Sequence, residues 1–171
     1  MKKYLLLLDN KRKNNTKLLK EANFKIYNEK RHFIFEVDSY NYLRQFGFNI
    51  SDEEINTFES HYQIWLDFLK TDEEYCAIIE DTFSIDKNFI DDLDNFIKSE
   101  SEFDLFFPYV PYNDRPNSKI LNLSLYEKDD YRPFLFGIEW GTYFYILSKK
   151  GAKKLIDEID LIDLRLDDKL L

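Results

Sequence analysis

The chain has a single cysteine, Cys76, so no disulfide bond can form within it, and this indicates a reducing compartment. Long hydrophobic runs are missing as well. The first apolar run, Tyr4–Leu8, follows Met1-Lys-Lys and is too short for the core of a signal peptide or for a membrane span. We therefore expect a cytoplasmic protein without a transmembrane segment.

Positive charge is in deficit, with 24 Lys and Arg against 33 Asp and Glu and a formal net charge of −9. An acidic surface repels phosphate backbones and anionic lipid, which argues against a nucleic-acid partner and against broad docking on membranes. A local exception is either a solvated helix face or a patch that meets a membrane surface or a phosphate-bearing ligand. The basic residues of this exception are Lys11, Arg12, Lys13, Lys17 and Lys20. Because of them, peripheral contact with the inner membrane face stays open.

Proline and glycine are scarce, with four of each, and three of the prolines fall within residues 108–118, which predicts a loop there. The chain of 171 residues has the length of one domain, and no repeat or linker divides it. We therefore expect a single domain over residues 1–171.

Apolar runs alternate with segments of helical periodicity. Strands are predicted at Tyr4–Leu8, Phe33–Val37, Tyr75–Ile79, Phe103–Phe107, Leu121–Tyr126, Phe134–Ile138 and Thr142–Leu147. Helices are predicted at Asn14–Ala22 and after Ser51, Asp86 and Ser148. The alternation indicates an α/β fold with a mostly parallel central sheet.

The clearest helix start is the segment Ser51-Asp52-Glu53-Glu54, which has the pattern of a capping box. Its apolar residues then recur at spacings of three and four, and the helix is expected to end near Lys70-Thr71. On this helix His61 lies beside the apolar stripe. Such a position is typical of a half-buried, hydrogen-bonded histidine, with a catalytic role as the alternative.

The strand Tyr75–Ile79 ends abruptly in two adjacent carboxylates, Glu80 and Asp81. In open α/β sheets, ligands bind beyond the carboxyl ends of the strands. Because the two acids repel each other, a hard divalent cation with oxygen ligands is one explanation. The other is structural: one carboxylate caps the next turn and its neighbour is solvated.

Three segments together resemble glycosyltransferase family 25, the lipopolysaccharide-type sugar transferases. "SDEEINTFESHYQIWLDFL" is similar to the family helix at Glu54, Ile55, Ser60, His61 and Trp65. "YCAIIEDTF" resembles the family strand that ends in Glu-Asp-Asp, and "GTYFYILSKKGAKKLID" is similar to a third family segment, matched at Gly141, Thr142, Tyr145, Ser148, Gly151, Ala152 and Leu155. The final "LDDKLL" resembles the segment with a late aspartate of the family.

The resemblance implies a shortened GT-A fold, a uridine diphosphate sugar (galactose or glucose) as donor, Mn²⁺ or Mg²⁺, and a glycan or lipid-linked saccharide acceptor. It places donor binding at Asp9, His61, Glu80 and Asp81. It places the metal at Asp81, with Thr82 and Asp167 as further ligands. A carboxylate is expected to act as general base, and the candidates by position are Glu139, Asp130 and Asp129.

The motif is degenerate at one point, because Thr82 stands where the family has its second Asp, and a neutral hydroxyl is a poorer ligand for a hard cation. The alternative function is therefore a non-catalytic relative that serves as a binding or scaffold module. A third alternative is a metal-dependent hydrolase of nucleotide sugars, which the same carboxylates would serve.

Overall fold

The structure is a computed structural model. It describes residues 1–8, 22–30, 32, 34–81, 93, 95, 103–106, 144–162 and 166. Within these residues the chain forms a five-stranded sheet and three helices. The strands are β1 (Lys2–Leu7), β2 (Lys25–Asn28), β3 (Tyr75–Glu80), β4 (Leu105–Phe106) and β5 (Phe144–Ser148), and the helices are α1 (Ser39–Phe46), α2 (Asp52–Leu69) and α3 (Lys149–Glu158).

The sheet has the strand order β2-β1-β3-β5-β4. The pairs β1–β2 and β1–β3 are parallel, whereas β3–β5 and β4–β5 are antiparallel. Four of the five strands thus have the same direction and β5 alone is reversed among the described strands. The prediction of a mostly parallel sheet agrees with the strand directions, and the reversed strand β5 was not predicted. All five residues of β5 are buried, so its sequence reads like that of a parallel strand covered on both faces, and its direction is not visible in that pattern.

Both faces of the sheet are covered. On one face Tyr4, Leu6 and Ile78 pack with helices α2 and α3 in one core cluster. On the other face Leu5, Ile79 and the helical residue Leu93 belong to a second cluster. Successive strand residues thus point to opposite cores, which is why β1 and β3 are continuous apolar runs.

The capping box at Ser51 is confirmed. The Ser51 hydroxyl accepts from the Glu54 amide at 3.2 Å, and the Glu54 carboxylate accepts from the Ser51 amide at 2.9 Å. The helix ends at Leu69, one residue before the predicted boundary. The cap of α3 at Ser148 is confirmed too, with the hydroxyl accepting from the Gly151 amide at 2.9 Å.

Two elements between β1 and α2 differ from prediction. The expected strand at residues 33–37 is replaced by an isolated bridge from Val37 to Ile162, and strand β2 lies at Lys25–Asn28 instead. Helix α1 was missed. Its start is capped by Asp38, and it ends at Gly47, whose φ of 77° is the left-handed conformation that glycine adopts without strain.

Several predictions fall wholly or largely outside the described residues. These are the helix at 14–22, the strands at 121–126 and 134–138, the loop at 108–118, the basic segment at 11–20 and most of the helix expected after Asp86.

Candidate active site at the carboxyl end of the parallel strands

The three parallel strands β2, β1 and β3 end side by side. The Glu29 amide donates to the Leu7 carbonyl at 2.8 Å, and the Asp81 amide donates to the Leu6 carbonyl at 2.9 Å. Glu29 and Asp81 therefore flank the end of β1. Together with Glu80 and with Glu53 from the first turn of α2, they form what we call the acidic end of the sheet.

The two acids that end β3 have different surroundings. Glu80 is 3% exposed and points toward helix α2, where its Oε1 lies 3.1 Å from His61 Nε2. Asp81 is half-buried, and its Oδ1 accepts from the Leu8 amide at 3.2 Å. The two acids look equivalent in sequence, but Glu80 is buried against His61, whereas Asp81 lies at the strand end and bonds the Leu8 amide.

Asp81 has an oxygen without a partner. Its Oδ2 is buried and accepts no hydrogen bond in the part of the chain that the structure describes. A buried carboxylate oxygen that lacks a donor loses its hydration without compensation, which is costly unless a cation or donor arrives. A cation or a hydrogen-bond donor that reached the acidic end would satisfy this atom.

His61 lies at the centre of a buried hydrogen-bonded chain. Its Nδ1 is 2.7 Å from the Tyr145 hydroxyl, which also accepts from Trp65 Nε1 at 2.9 Å. His61, Tyr145 and Trp65 are all fully buried. The expectation of a half-buried histidine is wrong because β5 covers the ring, while the expected hydrogen bonding is confirmed. Trp65 belongs to the core, as its place in the apolar stripe predicts.

Sequence analysis missed Glu29. Burial raises the pKa of its carboxyl, the Thr57 hydroxyl opposes that rise by donating to Oε1, and the charges of Glu53, Glu80 and Asp81 add to it. The sequence feature that could have indicated Glu29 is the short strand Lys25–Asn28 that precedes it. That segment has only four residues, so its periodicity does not identify a strand.

Helix α2 also fixes the segment that follows β2. The buried carboxylate of Glu59 accepts from the amides of His32 at 2.6 Å, Ile34 at 2.9 Å and Phe35 at 3.2 Å. The neighbouring Ser60 hydroxyl bonds the Lys30 amide at 3.2 Å. Three consecutive residues of one helix turn thus bind two different parts of the chain. Glu59 and Ser60 bond the residues that follow β2, and His61 bonds Glu80 at the end of β3.

Of the predicted site residues, the structure brings together His61, Glu80 and Asp81. The remaining ones lie outside the described residues, and their roles stay predictions: Asp9, Thr82, Asp129, Asp130, Glu139 and Asp167. Among the described residues, no group of three or more His, Cys, Asp or Glu side chains could hold a metal ion. A cation here would have to use one or two carboxylates of this part of the chain, which is how Mg²⁺ is commonly bound beside substrate phosphates. The orphaned Oδ2 of Asp81 fits that mode.

A sheet whose parallel strands carry acids at their carboxyl ends, with helices packed on it, defines an α/β protein of the kind that binds ligands at that end. The sequence model of a protein family, glycosyltransferase family 25 (LPS biosynthesis protein), matches residues 8–170 of the chain. This leaves out only the first seven residues and the last one. The chain belongs to glycosyltransferase family 25. No curated protein matches the chain. No described helix is long and apolar enough to cross a membrane.

Proposed function

We propose that the chain transfers a hexose, galactose or glucose, from a uridine diphosphate sugar to a cell-surface glycan acceptor in lipopolysaccharide assembly. Family membership over residues 8–170 supports the reaction class. The observation that carries the site is Asp81 Oδ2, a buried oxygen without a partner at the end of a parallel strand. The proposed fold of residues 1–171 is GT-A-like.

The proposed cofactor is Mn²⁺ or Mg²⁺, with Asp81 as the main protein ligand and with Thr82 and Asp167 as further candidates. When bound beside a diphosphate, such a cation stabilises the charge that develops on the leaving group. Glu29 and Glu53 add negative charge to the same end of the sheet, which favours a cation over a bare diphosphate there.

The acceptor side rests on sequence alone. We assign the general base to Glu139 or Asp130, with Asp129 as the neighbouring alternative, because a carboxylate near the acceptor hydroxyl would take its proton as the new glycosidic bond forms. Asp9 is proposed to contact the donor from the segment after β1. A cytoplasmic location, with peripheral contact at the inner membrane face, would fit a lipid-linked acceptor.

The test is titration calorimetry of the full chain with uridine diphosphate, with and without Mn²⁺. We expect binding that requires the metal, because the acids alone repel a diphosphate. Binding of neither metal nor nucleotide would contradict the proposal.

Thr82 favours one rival, a family member whose site has lost catalysis and kept a binding or scaffold role. The variant Thr82→Asp separates the two functions. If the site is active, the added carboxylate should tighten metal-dependent nucleotide binding by about 1–3 kcal/mol, the usual range of coupling between linked ligands. If the site has decayed, the same carboxylate adds only repulsion beside Glu80 and Asp81, and the variant should melt at a lower temperature whether or not Mn²⁺ is present.

A further inference from the structure

The buried chain of hydrogen bonds from Trp65 to Glu80 connects three different elements of the fold. Trp65 and His61 belong to α2, Tyr145 belongs to β5, and Glu80 ends β3. The contact between His61 and Tyr145 spans 84 residues, and the one between His61 and Glu80 spans 19. The three segments that resemble family 25 therefore meet in this one chain of hydrogen bonds.

The chemistry of the first donor sets the direction of that chain. An indole N–H can only donate, so the Tyr145 oxygen is the acceptor of the Trp65 contact. The Tyr145 hydroxyl then has its own proton to give, and His61 Nδ1 lies 2.7 Å away. Burial raises the pKa of the Tyr145 hydroxyl, the Trp65 contact opposes that rise, and the hydroxyl keeps its proton.

If Nδ1 accepts, the proton of the neutral imidazole sits on Nε2, where it points at Glu80 Oε1. The opposite tautomer would place the bare nitrogen Nε2 against a carboxylate oxygen, which is repulsive. The order of donors is therefore Trp65 to Tyr145, Tyr145 to His61, and His61 to Glu80. His61 thereby donates to a carboxylate that is 3% exposed, and burial of a carboxylate is costly unless it is hydrogen-bonded.

We propose that Tyr145 and His61 are positioning residues that, by holding Glu80, set the place of Asp81 at the end of β3. The next residue, Asp81, bonds the backbone across the strand end through its own amide and through Oδ1. A β3 terminus that shifts would displace Asp81 Oδ2 relative to Leu8 and Glu29. This assignment rests on the proposed function, and it gives His61 a role behind the donor site rather than in contact with the donor.

The test uses Tyr145→Phe, which removes one hydroxyl and keeps the ring. The matched control is Tyr62→Phe, since Tyr62 lies on α2 beside His61, packs against Trp65, and has no hydrogen bond from its hydroxyl within the described residues. The first readout is the tautomer of His61 from nitrogen-15 spectra of the ring. The chain has only two histidines, and His32→Asn identifies the other signal.

In the wild-type chain we expect the proton of His61 on Nε2, and in Tyr145→Phe a changed ring signal together with a shifted amide resonance of Leu8, the donor to Asp81. Tyr62→Phe should leave both unchanged. The inference would be overturned if the wild-type chain carried a proton on His61 Nδ1, or if the Leu8 amide resonance were the same in Tyr145→Phe as in the wild type. Neither measurement needs a ligand.

The second readout is the affinity for uridine diphosphate in the presence of Mn²⁺. Residues behind a metal site typically change affinity by 10-fold to 100-fold, so we expect a loss of about that size in Tyr145→Phe and none in Tyr62→Phe. His61→Gln, which can keep a donor toward Glu80, should lose less than His61→Leu. If the wild type binds and Tyr145→Phe merely melts earlier with unchanged affinity, the inference is wrong and the proposed function stands. If the wild type binds nothing, the proposed function fails, and the positioning role fails with it.

Discussion

The two ends of strand β3 both carry charge, but their carboxylates are in opposite electrostatic situations. At the amino end, where β5 ends and α3 begins, Asp104 bonds Lys154 and lies 3.6 Å from Lys150, and the Lys154 contact lowers its pKa. At the acidic end, burial and neighbouring acids raise the pKa of Glu29. No Lys or Arg pairs with Glu29 or Asp81 in the described part of the chain. Within the described residues, lysines thus pair with the carboxylate at one end, whereas the acids Glu29 and Asp81 at the other end have no such pairing.

Helix α2 sharpens this difference because it spans both ends. Thr57 in its second turn donates to Glu29, and just beyond its last residue the Thr71 carbonyl accepts from the ammonium of Lys149. The positive end of the helix dipole therefore lies among the acids, and the negative end lies near lysines. Charge is arranged favourably at both ends, yet only the acidic end keeps a buried oxygen without a partner among the described residues.

The largest effect should come from removing the charge of Asp81. We expect Asp81→Asn to abolish Mn²⁺-dependent binding of uridine diphosphate, measured by calorimetry, while the melting temperature stays close to that of the wild type. The control is Asp104→Asn at the opposite end, which should keep the binding. Equal loss in both variants would mean that the two ends do not differ as the structure indicates.

A second comparison uses the two glycines among the described residues, Gly151 and Gly47. A methyl group at Gly151 would lie 2.2 Å from the Asp104 carbonyl oxygen, so α3 packs directly on the β4 segment at this point. We expect Gly151→Ala to lower the free energy of unfolding by about 1–3 kcal/mol, as overpacking does.

Gly47 provides the contrast, because a methyl group there meets nothing within 4 Å and only the φ of 77° is unfavourable. Gly47→Ala should cost about 1–2 kcal/mol, the usual penalty of a left-handed backbone. Denaturant unfolding measures both. A Gly151→Ala chain as stable as the wild type would contradict the close packing of α3 on β4.

At the acidic end, Ser51→Ala removes the cap of α2 and should cost about 1 kcal/mol in the free energy of unfolding. Nucleotide binding should hardly change, because within the described residues the Ser51 hydroxyl bonds only Glu54 of its own helix turn. If the variant lost binding and kept its melting temperature, the segment would have a role at the site rather than in capping.

The smallest effects are the pH dependences of Glu29 and Asp104, which should have opposite signs. A raised pKa means that Glu29 destabilises the fold once it ionises, so Glu29→Gln should raise the melting temperature at pH 7, and the gain should vanish as pH falls toward 4.5, the ordinary value. A lowered pKa means that ionised Asp104 stabilises the fold. Asp104→Asn should therefore lower the melting temperature at pH 7, with the loss fading below 3.8. If both variants changed the melting temperature at pH 7 in the same direction relative to the wild type, the contrast between the two ends would be contradicted.

Local signals were enough to predict α2, α3 and the strands at the centre of the sheet. The capping box at Ser51 and the cap at Ser148 need only neighbouring residues, and β3 is fully apolar before Glu80. The direction of β5 was not predictable in this way, because a strand buried on both faces has the same pattern in either direction.

The candidate site was predicted only in part for a related reason. Glu80 and Asp81 stand out because they end an apolar run. Glu29 joins them only through the pairing of β2 with β1, and β2 is too short and too exposed to be recognised. One partner of His61 is Tyr145, which is 84 residues away in sequence, so no local pattern links the two.

The bonds from the Glu59 carboxylate to three backbone amides have a consequence for cooperativity. The amides of His32, Ile34 and Phe35 are satisfied by a side chain of α2 and not by a sheet or a turn of their own. Their protection against hydrogen exchange should therefore depend on the opening of the helix, so that this connecting segment and α2 unfold as one unit. The described residues His32, Ile34 and Phe35, which lie outside helices and strands, would then have the local stability of a core helix.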